Sequence, residues 1–298
     1  MNRSYSPHIL VMSGLITGLA QHPIHLGWFA WFSLVPMIFV LNRICQWKDF
    51  MVAGFIWGLS YYLTVIFWLA TNIGTTPVFA IISMLVAVLY CALNSTVICL
   101  ILCFIKLHYT KRWFLILPFV WTALEYIRNM DILTGGPWTA LANTQLDYLT
   151  IVQNVEITGI YGISFWILMN NVLIFQWMNR PYPKHSFSAI SFFILPWLTG
   201  LYLTPVNQVN SEQAIDVAVV QPNIHLSEKW INSFYSEDDF LDLISLLSNE
   251  EYSVVLTTDN STKNKFKKIY EKYRIISKQN FDELKSIQNN IVILDNLN

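Results

Sequence analysis

Few residues in this sequence have the type and spacing for chemistry. Glu125 and Arg128 stand three apart at the end of an apolar stretch, where a helix puts them on one face and lets them pair. The segment that follows, TGGPWTALANTQLDYLTIVQNVEITGIYG, carries Trp138, Gln145, Gln153 and Glu156. It reads either as a folded cap with an interfacial Trp anchor or as the polar floor of a lipid-accessible site. Downstream, Lys229-Trp230 joins a cation to an amphipathic ring, a pair suited to headgroup contact. Gln221 and Asn223 bracket a proline, and turn chemistry alone accounts for Asn223. In VVLTTDNST, Asp259 ends a run of β-formers. Such an acid can cap a following helix or take part in proton transfer. The four cysteines, at 45, 91, 99 and 103, read as small hydrophobes in helices, with no CxxC pair of the redox or zinc kind. No metal or cofactor is expected.

The elements that must position these residues are mostly greasy. The chain has 298 residues, of which 54% are hydrophobic and 12% charged, with 12 Trp, 14 Tyr and 19 Phe. Ordinary soluble domains carry roughly a quarter charged residues. The mean hydropathy of +0.44 therefore points to an integral membrane protein. A net charge of -1 argues against a nucleic-acid partner. The charge is unevenly spread: residues 1–210 carry a balance of +4 and residues 211–298 a balance of -5. That break predicts two domains, 1–210 in the membrane and 211–298 in water.

Seven stretches read as spans: 8–20, 26–41, 51–70, 77–105, 113–127, 158–178 and 187–204. The first could also be mistaken for a secretory signal, since Arg3 precedes an apolar run ending in Gly18-Leu19-Ala20. One set of connections holds Arg3, Arg43, Lys48, Lys106, Lys111, Arg112, Arg180 and Lys184, whereas the alternate set holds only Arg128. By the positive-inside rule the N-terminus is cytoplasmic and the segment after 204 emerges in the periplasm.

From 214 the periodicity changes. Residues 214–221 (AIDVAVVQ), 253–256 and 290–295 read as strands, with helices over 236–247 and 265–287. Alternating strands and helices begin an α/β layered domain.

Taken in order, these pieces resemble the apolipoprotein N-acyltransferase family. The resemblance rests on Phe29-Ala30-Trp31-Phe32 through Val35-Pro36, on Trp121, Glu125 and Arg128, and on Gly136-Pro137-Trp138 with Gln145. It continues through Gln153, Gly159, Tyr161-Gly162 and Ser164-Phe165, then Val220-Gln221-Pro222-Asn223-Ile224 and Lys229-Trp230. It implies an α-helical membrane bundle of about seven spans followed by a partial α/β nitrilase-like domain, in the inner membrane of a bacterium. The implied partners are a phospholipid acyl donor and a diacylglyceryl lipoprotein acceptor. In that chemistry a Cys takes the acyl chain as a thioester, a Glu is the general base and a Lys supports the oxyanion.

The resemblance puts Asp259 at the position of the base, with Thr257-Thr258 where the family has Trp-Pro. It makes Trp230 a ring that stacks on acyl chains, with Lys229, Gln221, Asn223, Trp138, Gln145 and Gln153 around the substrates. The Lys and Cys belong later in the family's domain, and no cysteine follows Cys103 here. The expectation is a truncated chain: a split gene, a frameshifted product, or one half of a two-chain enzyme whose second chain supplies the rest of the domain. The other readings are a catalytically inactive lipid- or lipoprotein-binding relative and an unrelated membrane transporter.

Overall fold

The computed structural model describes residues 7–72, 74–130 and 137–204, together with the backbones of 217–220, 254–257 and 293–295. The chain divides into two units, Met1–Gln208 and Val209–Asn298.

The first unit is helical. Helix α1 (Pro7–Leu19) leads to a 3-10 segment (Gly27–Trp31) and α2 (Val35–Arg43); α3 (Trp47–Ile66) continues into a 3-10 turn, and α4 spans Pro77–His108. After α5 (Leu117–Asn129) come two 3-10 turns and the short α6 (Leu149–Val152), then α7 (Val155–Asn179) and α8 (Pro183–Leu203). Each of the seven expected stretches contains a helix. Four of these are long and apolar enough to cross a membrane: Trp47–Thr71, Pro77–His108, Val155–Asn179 and Pro183–Leu203. The others are shorter: α1 and α5 have 13 residues each and α2 has 9. A 13-residue helix is about 20 Å long, less than the hydrocarbon thickness.

The second expected stretch is broken between Trp31 and Val35, and the sequence supplies what the break needs. Backbone groups freed inside an apolar bundle must find protein partners. Asn171 on α7 takes Leu34 N–H at 2.9 Å and donates to Ala30 C=O at 2.8 Å. Asn170 donates to Trp31 C=O at 3.0 Å, and the Ser13 hydroxyl donates to Ser33 C=O at 2.6 Å. Ser13 in turn accepts Trp57 Nε1–H at 3.1 Å, tying α1 to α3. At the other end of α2, Lys106 Nζ donates to the carbonyls of Leu41, Asn42 and Ile44 at 2.8, 2.9 and 2.6 Å. A cation there satisfies the last carbonyls of the helix and complements its dipole.

Small residues let α1, α3 and α4 approach closely. A Cβ on Gly54 would stand 2.7 Å from Ser95 C=O, and one on Gly14 2.6 Å from Trp57 C=O. Large apolar side chains such as Phe79, Val86, Phe187 and Leu201 remain exposed, as a lipid-facing surface requires.

In the second unit β1 (Val217–Val220), β2 (Val254–Thr257) and β3 (Ile293–Asp295) form a parallel sheet in the order β1-β2-β3. Val217 pairs with Val254, and Thr257 with Asp295. Each strand lies in or within one residue of a run read as a strand in the sequence. The helices expected at 236–247 and 265–287 lie outside the described residues.

Candidate functional site

Three pieces of the first unit converge on one buried polar cluster: the last turn of α5, the C-terminal part of α3, and the segment from Pro137 to Asn154. Glu125 organises it. The carboxylate is 5% exposed, and its Oε1 accepts Trp121 Nε1–H at 3.1 Å and Leu141 N–H at 2.9 Å. Ser164 on α7 accepts the next amide, Ala142 N–H, at 3.0 Å. Two consecutive amides of the 141–145 turn are thus held by side chains from two helices, α5 and α7.

Gln145 holds the far side of the same turn. It is fully buried; its Oε1 accepts Trp31 Nε1–H at 3.0 Å. Its Nε2 donates to Gly27 C=O at 2.9 Å and to the Thr144 hydroxyl at 2.7 Å. Gln21 and Tyr61 are hydrogen-bonded to each other, and they donate to Ala140 C=O at 3.0 Å and Thr139 C=O at 3.2 Å. On the rim, His25 Nδ1 lies 3.2 Å from Asp147 Oδ2, and the Tyr148 hydroxyl donates to His25 C=O at 2.9 Å. Asn154 fastens α8 by donating to Pro196 C=O at 2.8 Å, the residue that removes an N–H from that helix.

Glu125 and Arg128 behave differently from the direct pair expected on their shared face. Both are buried, yet no ion pair joins them among the described residues. Glu125 is drawn to the 141–145 turn, while Arg128 Nη1 donates to the Tyr62 hydroxyl at 2.9 Å. The physical reason is competition: the Trp121 and Leu141 donors hold the carboxylate away from the guanidinium.

Of the other residues singled out in the sequence, Trp138 is 66% exposed, as an interfacial anchor would be, and Gln153 is half-buried. Lys229, Trp230, Gln221, Asn223 and Asp259 lie outside the described residues. Tyr61, Tyr62 and Gln21 were not singled out, because two tyrosines near the end of an apolar span read as ordinary span residues. The available signal was that neither hydroxyl can be left unpaired in a buried site.

Chemically, this cluster is an assembly of acceptors and donors that locks a cap onto a bundle. Among the described residues there is no group of His, Cys, Asp and Glu that could hold a metal ion. Cys99 and Cys103 are buried in α4, Cys91 is half-buried and Cys45 is exposed. Beside the cluster, an apolar groove of about 450 Å³ runs between α7, α8 and the 27–32 segment, lined by Trp28, Trp31, Phe193 and Ile194 among others.

Comparison with known proteins bears on what this cap serves. The profile of the family described as "Apolipoprotein N-acyltransferase N-terminal domain" matches residues 13–173. The chain is 30% identical over 244 residues to an apolipoprotein N-acyltransferase of Geobacter metallireducens, covering 76% of this chain and 45% of that protein. It is 30% identical over 235 residues to one of Chlorobaculum tepidum, covering 74% and 42%, and 25% identical over 286 residues to one of Thermotoga maritima, covering 91% and 54%. The chain therefore spans about half the length of the curated relatives it matches.

Proposed function

The chain belongs to the apolipoprotein N-acyltransferase family, and from that premise we propose that it serves lipoprotein maturation as the membrane part of an N-acyltransferase. The observation that carries this reading is the match over residues 13–173, which contains both Glu125 and Gln145 and hence the whole pinned cap. The substrates are a phospholipid acyl donor and the N-terminal diacylglyceryl-cysteine of a lipoprotein. Both are lipids, so the reacting groups must meet where the bilayer opens to water, and a rigid cap on a helical bundle provides such a place.

In the proposed reaction a thiolate attacks the ester carbonyl of the phospholipid, and a lysophospholipid leaves. The α-amine of the acceptor then attacks the thioester; an amide forms, the thiolate departs, and a carboxylate takes the amine's proton. Residues 211–298 contain no cysteine. The family resemblance puts both that thiol and its lysine in the later part of the domain, on the same polypeptide or on a second chain.

We read residues 211–298 as part of a periplasmic nitrilase-like domain; the parallel order of β1, β2 and β3 supports this. Asp259, two residues after β2 in the sequence, then takes the position of the general base, and Trp230 and Lys229 are assigned to the lipid substrates. The first unit spans the inner membrane seven times with its N-terminus in the cytoplasm, α2 and α5 completing their spans with the 3-10 segments that precede them. Neither metal nor cofactor enters the reaction.

A strain depleted of its own N-acyltransferase tests the reading. The chain is expressed there together with the catalytic domain of a relative, and lipoprotein N-termini are weighed by mass spectrometry. Appearance of the third acyl chain supports the proposal. Lipoproteins that stay diacylated, while this chain is folded in the membrane, contradict it.

A further inference from the structure

The guanidinium of Arg128 is half-used. Its Nη1 donates to the Tyr62 hydroxyl at 2.9 Å, but Nε and Nη2 are buried without a hydrogen-bond partner. Those two atoms form the edge of the guanidinium that presents two parallel N–H donors, the fork that matches a carboxylate or phosphate. The side chain as a whole is 7% exposed. A buried cation with two unmet donors is costly, and the nearby carboxylate makes no direct ion pair with it. Glu125 Oε1 is committed to Trp121 and Leu141, while Oε2 has no partner.

The neighbour Asn129 repeats the pattern. Its Nδ2 donates to the Tyr161 hydroxyl at 3.2 Å, and its Oδ1 is unmet. Three side chains within about one helical turn thus keep polar atoms that the protein itself leaves unpaired. Buried polar groups without partners are few in native proteins and each calls for a reason, a bound ion among them; here only the two Arg128 atoms are donors that an anion can take.

The other faces of this turn are apolar and exposed. The same turn presents Tyr126, Ile127 and Met130, which are 50%, 61% and 65% exposed. A polar fork behind an apolar, exposed turn suits a molecule with an anionic head and apolar tails. The small anion-binding alternative, free phosphate, shares the head but makes no use of that apolar turn.

We propose that Arg128, positioned by Tyr62, binds a phosphate oxyanion through its Nε–Nη2 edge, and that the phosphate belongs to a phospholipid headgroup. The proposal deepens the reading of a phospholipid donor and rests on it.

The test uses the full chain in detergent and native mass spectrometry. The probes are dioleoyl-phosphatidylglycerol and dioleoylglycerol, which share their tails and differ in the phosphate. The wild type should retain the phosphatidyl lipid preferentially, and Arg128→Gln should cut that preference about tenfold or more. If Arg128→Gln does not fold, Arg128→Lys decides: it keeps the charge, loses the fork, and should also lose preference. Added inorganic phosphate separates the sources: an unchanged preference assigns the site to the lipid, whereas an abolished one assigns it to free phosphate and overturns the headgroup assignment. An equal preference in wild type and folded variant overturns the assignment to Arg128 and leaves the donor reading standing. If neither lipid binds the wild type, the donor reading itself fails, and this site with it.

Discussion

The Leu141 amide donates to Glu125 Oε1 at 2.9 Å: a carboxylate near the end of a short bundle helix holds the backbone of the turn that caps the bundle. Trp121 Nε1 shares the same oxygen at 3.1 Å, so one acid serves its own helix and the cap together. Removing it leaves two buried donors unmet.

Glu125→Ala should therefore destabilise the first unit by about 2–4 kcal/mol, while Glu125→Gln, which keeps a carbonyl acceptor, should cost less than half of that. Thermal unfolding of the purified variants in one detergent gives the comparison. Equal melting temperatures for Glu125→Ala and the wild type would show that the cap does not hang on this acid.

Gln145 makes the reciprocal case. Its amide is buried and joins Trp31, Gly27 and Thr144. Gln145→Leu keeps the bulk and deletes both functions, leaving Trp31 N–H and Gly27 C=O unpaired at a cost of about 2–4 kcal/mol. Limited proteolysis within residues 137–154 should accelerate in this variant. Unchanged cleavage would mean that the cap is held by its other bonds alone.

Lys106 tests the opposite end of the bundle. Lys106→Met keeps an apolar stem but removes Nζ, which lies 5.4 Å from the Phe50 ring and 5.6 Å from the Trp113 ring, and with it the three carbonyl contacts at α2. The expected loss is about 1–3 kcal/mol in thermal unfolding. A melting temperature within error of the wild type would assign α2 to packing alone.

Orientation is open to a native probe. Cys45 is exposed between α2 and α3, in a connection that carries Arg43 and Lys48. A membrane-impermeant maleimide should label it in inverted membrane vesicles and not in intact spheroplasts; Cys91→Ala removes the half-buried thiol as background. Labelling of spheroplasts at Cys45 would reverse the proposed topology.

Much of this was legible in the sequence because it rests on local pattern. Among the described residues, apolar runs locate every α-helix except the short α6, and β-branched runs locate the strands. What sequence spacing could not supply was competition for partners. Glu125 and Arg128 are three apart and could pair, yet a backbone amide sixteen residues downstream takes the acid and Tyr62, from another helix, takes the base. The break at residues 32–34 is likewise hidden, since Asn170 and Asn171, which sustain it, lie more than a hundred residues away. Gly159 does carry a local signal, being the one glycine among the described residues with a positive φ (65°), where α7 kinks.

The central claim is that this bundle can serve lipoprotein N-acylation, and a chimera tests it most directly. Residues 1–204 of this chain replace the corresponding membrane part of the Geobacter metallireducens relative, and the product is expressed in a strain depleted of N-acyltransferase. Mass spectrometry of a lipoprotein N-terminus should then show the triacylated form. A chimera that inserts and folds but leaves the lipoprotein diacylated would contradict the account.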